Sequence, residues 1–189
     1  MKIGIFGGSF NPPHQKHKNI AIELIEKGYL DKVIYVPTGD KYNKKDLIDA
    51  KYRLKMLKLL IEDYNDLLVS DYELKNALTY TYQTLDHFQS EYPNDFIYFI
   101  CGSDNLKELT TWKNYKYILD KYKLLVIRRN DDDITLIINN LDTENIILTN
   151  IMSQDVSSTK IRKQLFEKGE DDNLDVKVIN YIKRKNLYR

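Results

Sequence analysis

The sequence predicts an α/β fold: a doubly wound parallel sheet with helices on both faces and a helical C-terminal part. Three observations carry this. Strand and helix signals alternate along the chain, as they do in a parallel sheet with crossover helices. Phe96–Cys101 is a nearly continuous apolar run, as expected of a central strand covered on both faces. Apolar runs end at Gly7-Gly8, at Pro37-Thr38-Gly39 and at Gly102-Ser103-Asp104. In such sheets ligands bind beyond the carboxyl ends of the strands, near the point where strand order reverses. Those three turns are therefore expected to line one cleft.

The elements follow in order. Lys2–Phe6 is a short apolar strand running into a glycine turn. A helix is predicted from about His14 to Lys27, with Ile20, Ala21, Leu24 and Ile25 on its apolar face and Gly28 as its C-cap. Lys32–Val36 is the second strand, and a polar loop, Asp40–Lys45, leads to a helix over Asp49–Glu62. Leu67–Ser70 is a short strand; Thr81–Glu91 is helical and stops before Pro93. After the central run come short helices at Leu106–Leu109 and Tyr115–Leu119, then a strand at Lys123–Ile127. Asp132–Asn140 reads as a helix whose first turn suits Asp132 and Asp133. Asn145–Leu148 is the last strand, and Ser158–Lys168 and Val176–Lys185 are closing helices. No repeat or linker interrupts the pattern, so residues 1–189 are expected to form one domain, helical from about residue 156.

Composition excludes several classes. Lys and Arg number 29 against 28 Asp and Glu, a net charge of +1 that gives no general pull toward nucleic acid or a membrane surface. The single cysteine, Cys101, rules out an internal disulfide framework and any multi-cysteine zinc site, and its apolar setting predicts a buried small residue. No segment is long and apolar enough to span a bilayer, and the first strand does not read as a signal peptide, so a cytoplasmic location is expected. Oligomeric state is left open, with a homo-oligomer compatible with the sequence. His87 has no motif around it and reads as an exposed helix residue; Asp131-Asp132-Asp133 reads as a solvated helix start rather than a metal site.

Two segments carry chemistry. In Gly7-Gly8-Ser9-Phe10-Asn11-Pro12-Pro13-His14-Gln15-Lys16-His17, glycines follow a strand and two histidines stand three apart at the mouth of a helix. Backbone N–H groups, a helix N-terminus and paired imidazoles suit a polyphosphate and the charge that develops on it as a bond breaks. The segment is neither G-x-G-x-x-G nor G-x-x-x-x-G-K-[ST], which argues against a dehydrogenase or a P-loop kinase. Near the C-terminus, Ser157-Ser158-Thr159-Lys160-Ile161-Arg162 opens a helix with hydroxyls and a guanidinium suited to phosphate oxygens, or serves as an ordinary N-cap.

Together these residues resemble the nucleotidyltransferase superfamily that carries an HxGH motif near its N-terminus and SSTxxR near its C-terminus. Within it the chain resembles the bacterial nicotinate-mononucleotide adenylyltransferases over nearly its full length. The matching residues are Gly7–His14, Val36-Pro37-Thr38-Gly39, Arg53-Leu54-Lys55-Met56-Leu57, Tyr80-Thr81-Tyr82-Gln83-Thr84-Leu85, Gly102-Ser103-Asp104 with Trp112, and Ser157–Arg162. Two positions depart: Lys16 stands where the family has glycine, and Lys41-Tyr42-Asn43 replaces a Pro-Pro-His run before Lys44.

The resemblance implies a Rossmann-like fold and transfer of AMP from ATP to nicotinate mononucleotide, giving nicotinate adenine dinucleotide and pyrophosphate, with Mg²⁺ arriving with ATP and no fixed metal site. It implies catalytic roles for His14, His17 and Arg162. Gly8, Ser9, Phe10, Gly102, Asp104, Ser157, Ser158 and Thr159 would join them in binding ATP, and Lys44, Thr81 and Trp112 would bind the acceptor. Nicotinamide mononucleotide or phosphopantetheine as acceptor, cytidylyl transfer, and nucleotide binding with little turnover are the alternatives.

Overall fold

The computed structural model describes residues 1–41, 46–76, 79–129, 134–153 and 157–189. Six strands, β1 (Lys2–Gly8), β2 (Lys32–Pro37), β3 (Leu67–Val69), β4 (Phe96–Gly102), β5 (Lys123–Arg129) and β6 (Ile146–Ser153), form one parallel sheet in the order β3-β2-β1-β4-β5-β6. The helices of the described residues are α1 (Gln15–Glu26), α2 (Ala50–Ile61), α3 (Tyr72–Lys75), α4 (Thr81–Glu91), α5 (Ser103–Glu108), α6 (Tyr115–Lys121), α7 (Thr135–Leu141), α8 (Ser158–Lys168) and α9 (Val176–Lys185). The chain builds outward from β1 to β3, then returns to lay β4 on the other side of β1. The pair β1–β4 is thus the switch point, and its carboxyl end is where a doubly wound sheet opens a crevice.

The period-two alternation of the strands sorts their side chains onto two cores. Val33 and Tyr35 of β2 and Leu125 and Ile127 of β5 pack with Leu24 of α1, Met56 and Leu57 of α2, Ile161 and Leu165 of α8, and Val178 and Ile182 of α9. Ile34 and Val36 of β2 and Leu124 and Val126 of β5 pack on the other face with Leu85 and Phe88 of α4, Leu106 of α5 and Ile118 of α6. Burial on both faces explains why these strands read as continuous apolar runs. Gly28, at φ +71°, ends α1 in the left-handed conformation that glycine adopts without steric cost.

Several expectations need correction. β1 runs through Gly8 rather than stopping at Phe6, and the residue that turns the chain is Phe10, at φ +45°. The second glycine serves close approach instead: a Cβ on Gly8 would sit 3.2 Å from the Phe10 ring. Gly102-Ser103-Asp104 is not a loop, because β4 passes directly into α5. The α3 turn, absent from the sequence reading, is a single helical turn too short for a periodic signal. β6 extends to Ser153 because a bulge opposite Val126–Arg128 lets the ladder resume, with Thr149 Oγ1 donating to the Val126 carbonyl at 3.0 Å. His87 is half-buried rather than exposed; its ring stacks on Tyr72 at 3.7 Å. Cys101 is buried, as expected. Lys44, Asp131, Asp132 and Asp133 lie outside the described residues.

Candidate active site

The segment after β1 is shaped from beneath by one buried cation. Arg53 of α2, fully removed from solvent, donates from Nη1 to the Ser9 carbonyl (2.9 Å), from Nη2 to the Thr38 carbonyl (2.6 Å) and from Nε to the Ile48 carbonyl (2.8 Å). It also reaches Asp40 at 3.2 Å. The planar fork thus joins the ends of β1 and β2. Asn11 fixes the next part of the loop: its Nδ2 donates to the Asp46 carbonyl (2.7 Å), and its Oδ1 accepts from the Tyr188 hydroxyl (2.8 Å). Phe10 is buried, with its ring edge-on to His17 at 5.0 Å. The Asn11–Pro12 peptide bond is cis.

His14 is the N-cap residue of α1, and the rings of His14 and His17 stack at 3.7 Å. The His14 backbone N–H donates to His17 Nδ1 at 3.2 Å, while the His17 N–H donates to the His14 carbonyl at 3.0 Å. A nitrogen that accepts an N–H carries no proton, so neutral His17 holds its proton on Nε2 and is a donor there. The Tyr35 hydroxyl donates to the His17 carbonyl at 2.9 Å and anchors this first turn to β2. Burial, then the charges of Lys16 and Arg129, lowers the His14 pKa to about 4 against a weaker opposing pull from Asp171. Burial and the neighbouring His14 push His17 in the same direction. Both imidazoles are neutral at pH 7. His14 Nδ1 is a buried nitrogen with no hydrogen-bond partner among the described residues.

The N-terminus of α1 is less open than its sequence suggests, since the Gln15 N–H donates to the Asn173 carbonyl at 2.8 Å. The C-terminal motif docks directly on the loop after β1. Arg162 donates from Nη1 to the Asn11 carbonyl (3.0 Å) and from Nη2 to Thr159 Oγ1 (3.2 Å), and Ser158 Oγ donates to the Pro12 carbonyl (3.4 Å). A guanidinium has five donors, so these two bonds leave capacity for an anion. Ser157 caps α8, accepting from the Thr159 N–H at 3.2 Å. Across the opening, Asp104 pairs with Arg129 Nε at 3.2 Å, over Gly102; a Cβ there would lie within 2.3 Å of Asp104 Oδ1.

These parts enclose a cleft of about 390 Å³. Gly8, Ser9, Phe10, His14, His17, Gly102, Asp104, Ser157, Ser158, Thr159 and Arg162 all line it. Lys16, Arg129 and Arg162 are the cations among its described lining residues, against the single carboxylate of Asp104, so the cleft suits a polyanion. Cys101 also lines it, but burial and Asp104 push its thiol up to about 12, leaving it protonated and a poor nucleophile.

Thr81 and Trp112 are not among the lining residues of this cleft. Trp112 packs edge-on against Phe99 at 5.8 Å, and a Cβ on Gly7 would lie 3.7 Å from that same Phe99 ring. Trp112 is therefore one side chain removed from the end of β1. Thr81 is the first residue of α4, whose N-cap is Tyr80, and Tyr82 packs on the same core as Trp112. Sequence reasoning missed Asn11, Arg53, Arg129 and Tyr188. Arg129 had a legible signal, an arginine pair closing an apolar strand; Asn11 and Arg53 stand in segments matched to the family but without an assigned role, and Tyr188 left no signal.

The description of the family model matching residues 5–164 is "Cytidylyltransferase-like". A Clostridium tetani protein named "Probable nicotinate-nucleotide adenylyltransferase" is 38% identical, with 100% of this chain and 99% of that protein covered. One of the same name from Caldicellulosiruptor bescii is 39% identical over 100% of both chains. Among solved structures, Plasmodium falciparum nicotinic acid mononucleotide adenylyltransferase complexed with NaAD superimposes with a TM-score of 0.82 over 99% of this chain and 97% of that one, at 21% identity; this likeness speaks for the fold.

Proposed function

The chain belongs to the cytidylyltransferase-like family, and on that premise we propose that it transfers the AMP group of ATP to nicotinate mononucleotide, releasing pyrophosphate and forming nicotinate adenine dinucleotide. It is a nucleotidyltransferase, and the reaction is a step of NAD biosynthesis. One observation carries the reading of the site: Arg162 and Ser158 are hydrogen-bonded to the carbonyls of Asn11 and Pro12, so the two motifs that would hold a triphosphate form one cleft.

The acceptor's phosphate oxygen attacks the α-phosphorus; the bond to the bridging oxygen of pyrophosphate breaks and its electron pair leaves with pyrophosphate. The nucleophile is already an anion, so no base need remove a proton. Neutral histidines fit that requirement. His17 donates from Nε2 to the oxygen where charge grows, and its tautomer is fixed in advance by the His14 N–H. Arg162, Lys16 and Arg129 supply positive charge around the phosphates, with Ser158 and the backbone of Gly8, Ser9 and Phe10 completing the cradle. Mg²⁺ would arrive with ATP and would supply positive charge that offsets the charge on the leaving group. Trp112, which packs on Phe99, and Thr81 would frame the acceptor, and the family resemblance gives Lys44 to its phosphate.

The test offers ATP and Mg²⁺ with nicotinate mononucleotide, nicotinamide mononucleotide or phosphopantetheine in separate reactions and measures pyrophosphate. Release with nicotinate mononucleotide at the highest kcat/KM is the expected result; a preference for phosphopantetheine would assign another acceptor.

A further inference from the structure

Tyr188 lies outside the lining of the cleft, yet it is bonded to the loop that forms it. α9 ends at Lys185; Asn186 turns the chain at φ +53°, and the Leu187 N–H returns to the Ile182 carbonyl at 3.1 Å. Leu187 and Tyr188 then fold back against the core that holds α2 and α8. Tyr188 itself sits at φ +62°, a region that a bulky aromatic rarely occupies and that persists only where surrounding contacts over-determine it.

Its hydroxyl donates to Asn11 Oδ1 at 2.8 Å, bridging 177 positions of sequence. The carbonyl of the same Asn11 accepts from Arg162. One loop residue is thus gripped by its side chain from the segment after α9 and by its main chain from α8. Burial holds the phenol well above its usual pKa against the pull of Arg162 and Arg53, so it stays a donor across the neutral range.

We infer that Tyr188 is a positioning residue for nucleotide binding: by holding Asn11 it sets the loop between β1 and α1, and with it the place of Arg162, without touching substrate. This rests on the proposed use of the cleft for ATP. Tyr188→Phe removes one oxygen and keeps the ring, so the core contacts remain. The loss of one buried hydrogen bond that orders the loop is expected to weaken binding of a non-hydrolysable ATP analogue by about threefold to tenfold. Affinity for nicotinate mononucleotide is expected to stay within about twofold, a split that general loosening of the fold would not give.

Titration calorimetry of both ligands, on wild type and on Tyr188→Phe and Tyr188→Leu, reads this directly, with circular dichroism confirming the fold. Tyr188→Leu is expected to lose analogue affinity further in the same direction. Unchanged analogue affinity in Tyr188→Phe, or equal losses for both ligands, would overturn the inference while leaving the function standing. A wild-type protein that binds no ATP analogue would overturn the proposed function, and this inference with it.

Discussion

The Arg162 guanidinium lies 3.0 Å from the carbonyl of Asn11, a residue 151 positions earlier in the chain. This contact closes the cleft: the loop after β1 supplies one wall, the first turns of α8 the other. Arg162, His14 and His17 all line that cleft.

Arg162→Ala should therefore remove both a phosphate ligand and a clasp on the loop. The expected loss in kcat/KM is on the order of 10²–10³, comparable to the loss of one oxyanion donor. Arg162→Lys keeps the charge but not the fork, and should recover only part of it. Steady-state kinetics with varied ATP check both; a near-wild-type Arg162→Ala would remove the residue from the mechanism.

Arg53→Met tests the base of the site. Three carbonyls, on Ser9, Thr38 and Ile48, would lose a buried donor together. The expected destabilisation is about 3 kcal/mol, seen as a fall in Tm of roughly 6–12 °C. A variant with unchanged Tm would mean that those carbonyls find water.

Acid should weaken the fold through the histidine pair. An unfolded histidine has a pKa near 6.5, whereas His14 in the fold is held at about 4. As pH falls below about 6.5 the unfolded chain takes the proton first, so stability present at neutral pH is lost progressively down to about pH 4. For His14 alone this is on the order of 3 kcal/mol, and His17 acts in the same direction. Lys16→Ala removes a positive neighbour, raises the His14 pKa and should shrink that loss. Urea midpoints at pH 7 and pH 5 for wild type, His14→Asn and Lys16→Ala measure it; identical pH dependence in wild type and His14→Asn would contradict it.

Gly102→Ala puts a methyl where Asp104 Oδ1 now lies, with Arg129 Nε 3.2 Å from the same point. Both are ends of half-exposed side chains that can swing away, so the fold should hold while the pair moves into the cleft. The expected result is a Tm within about 2–4 °C of wild type, consistent with a cost near 1 kcal/mol, and a KM for ATP raised several-fold. An unchanged KM would place the Asp104–Arg129 pair outside the nucleotide site.

Trp112→Ala separates the two substrates. Stacking of an aromatic ring on a base is worth about 1–3 kcal/mol, so KM for the pyridine nucleotide should rise roughly tenfold to a hundredfold with KM for ATP little changed. Equal effects on both would reduce Trp112 to packing against Phe99.

What the sequence made legible was local or periodic. The apolar strand Phe96–Cys101 and the Ser157 cap of α8 follow from neighbouring residues, and the structure has both; Gly28 ends α1 in the left-handed conformation one residue after the C-cap, Lys27. The histidine spacing likewise brings the two rings together, stacked at 3.7 Å. Nothing local marks Phe10 as the turning residue after two glycines, because its left-handed backbone is imposed by burial of its ring. Nor does a lone arginine in an amphipathic helix reveal that Arg53 is the fully buried link between two strand ends. Asn11 and Tyr188 are the extreme case, since their roles exist only once residues 177 positions apart meet.

The most direct test of AMP transfer in this cleft follows label from ATP. Reactions with nicotinate mononucleotide and Mg²⁺ would contain ATP labelled at either the α- or the γ-phosphate, with wild type and His17→Ala. The expected result is α-label in a dinucleotide, γ-label in pyrophosphate, and loss of both with His17→Ala. Transfer of γ-label to the acceptor, or dinucleotide formation undiminished in His17→Ala, would contradict it.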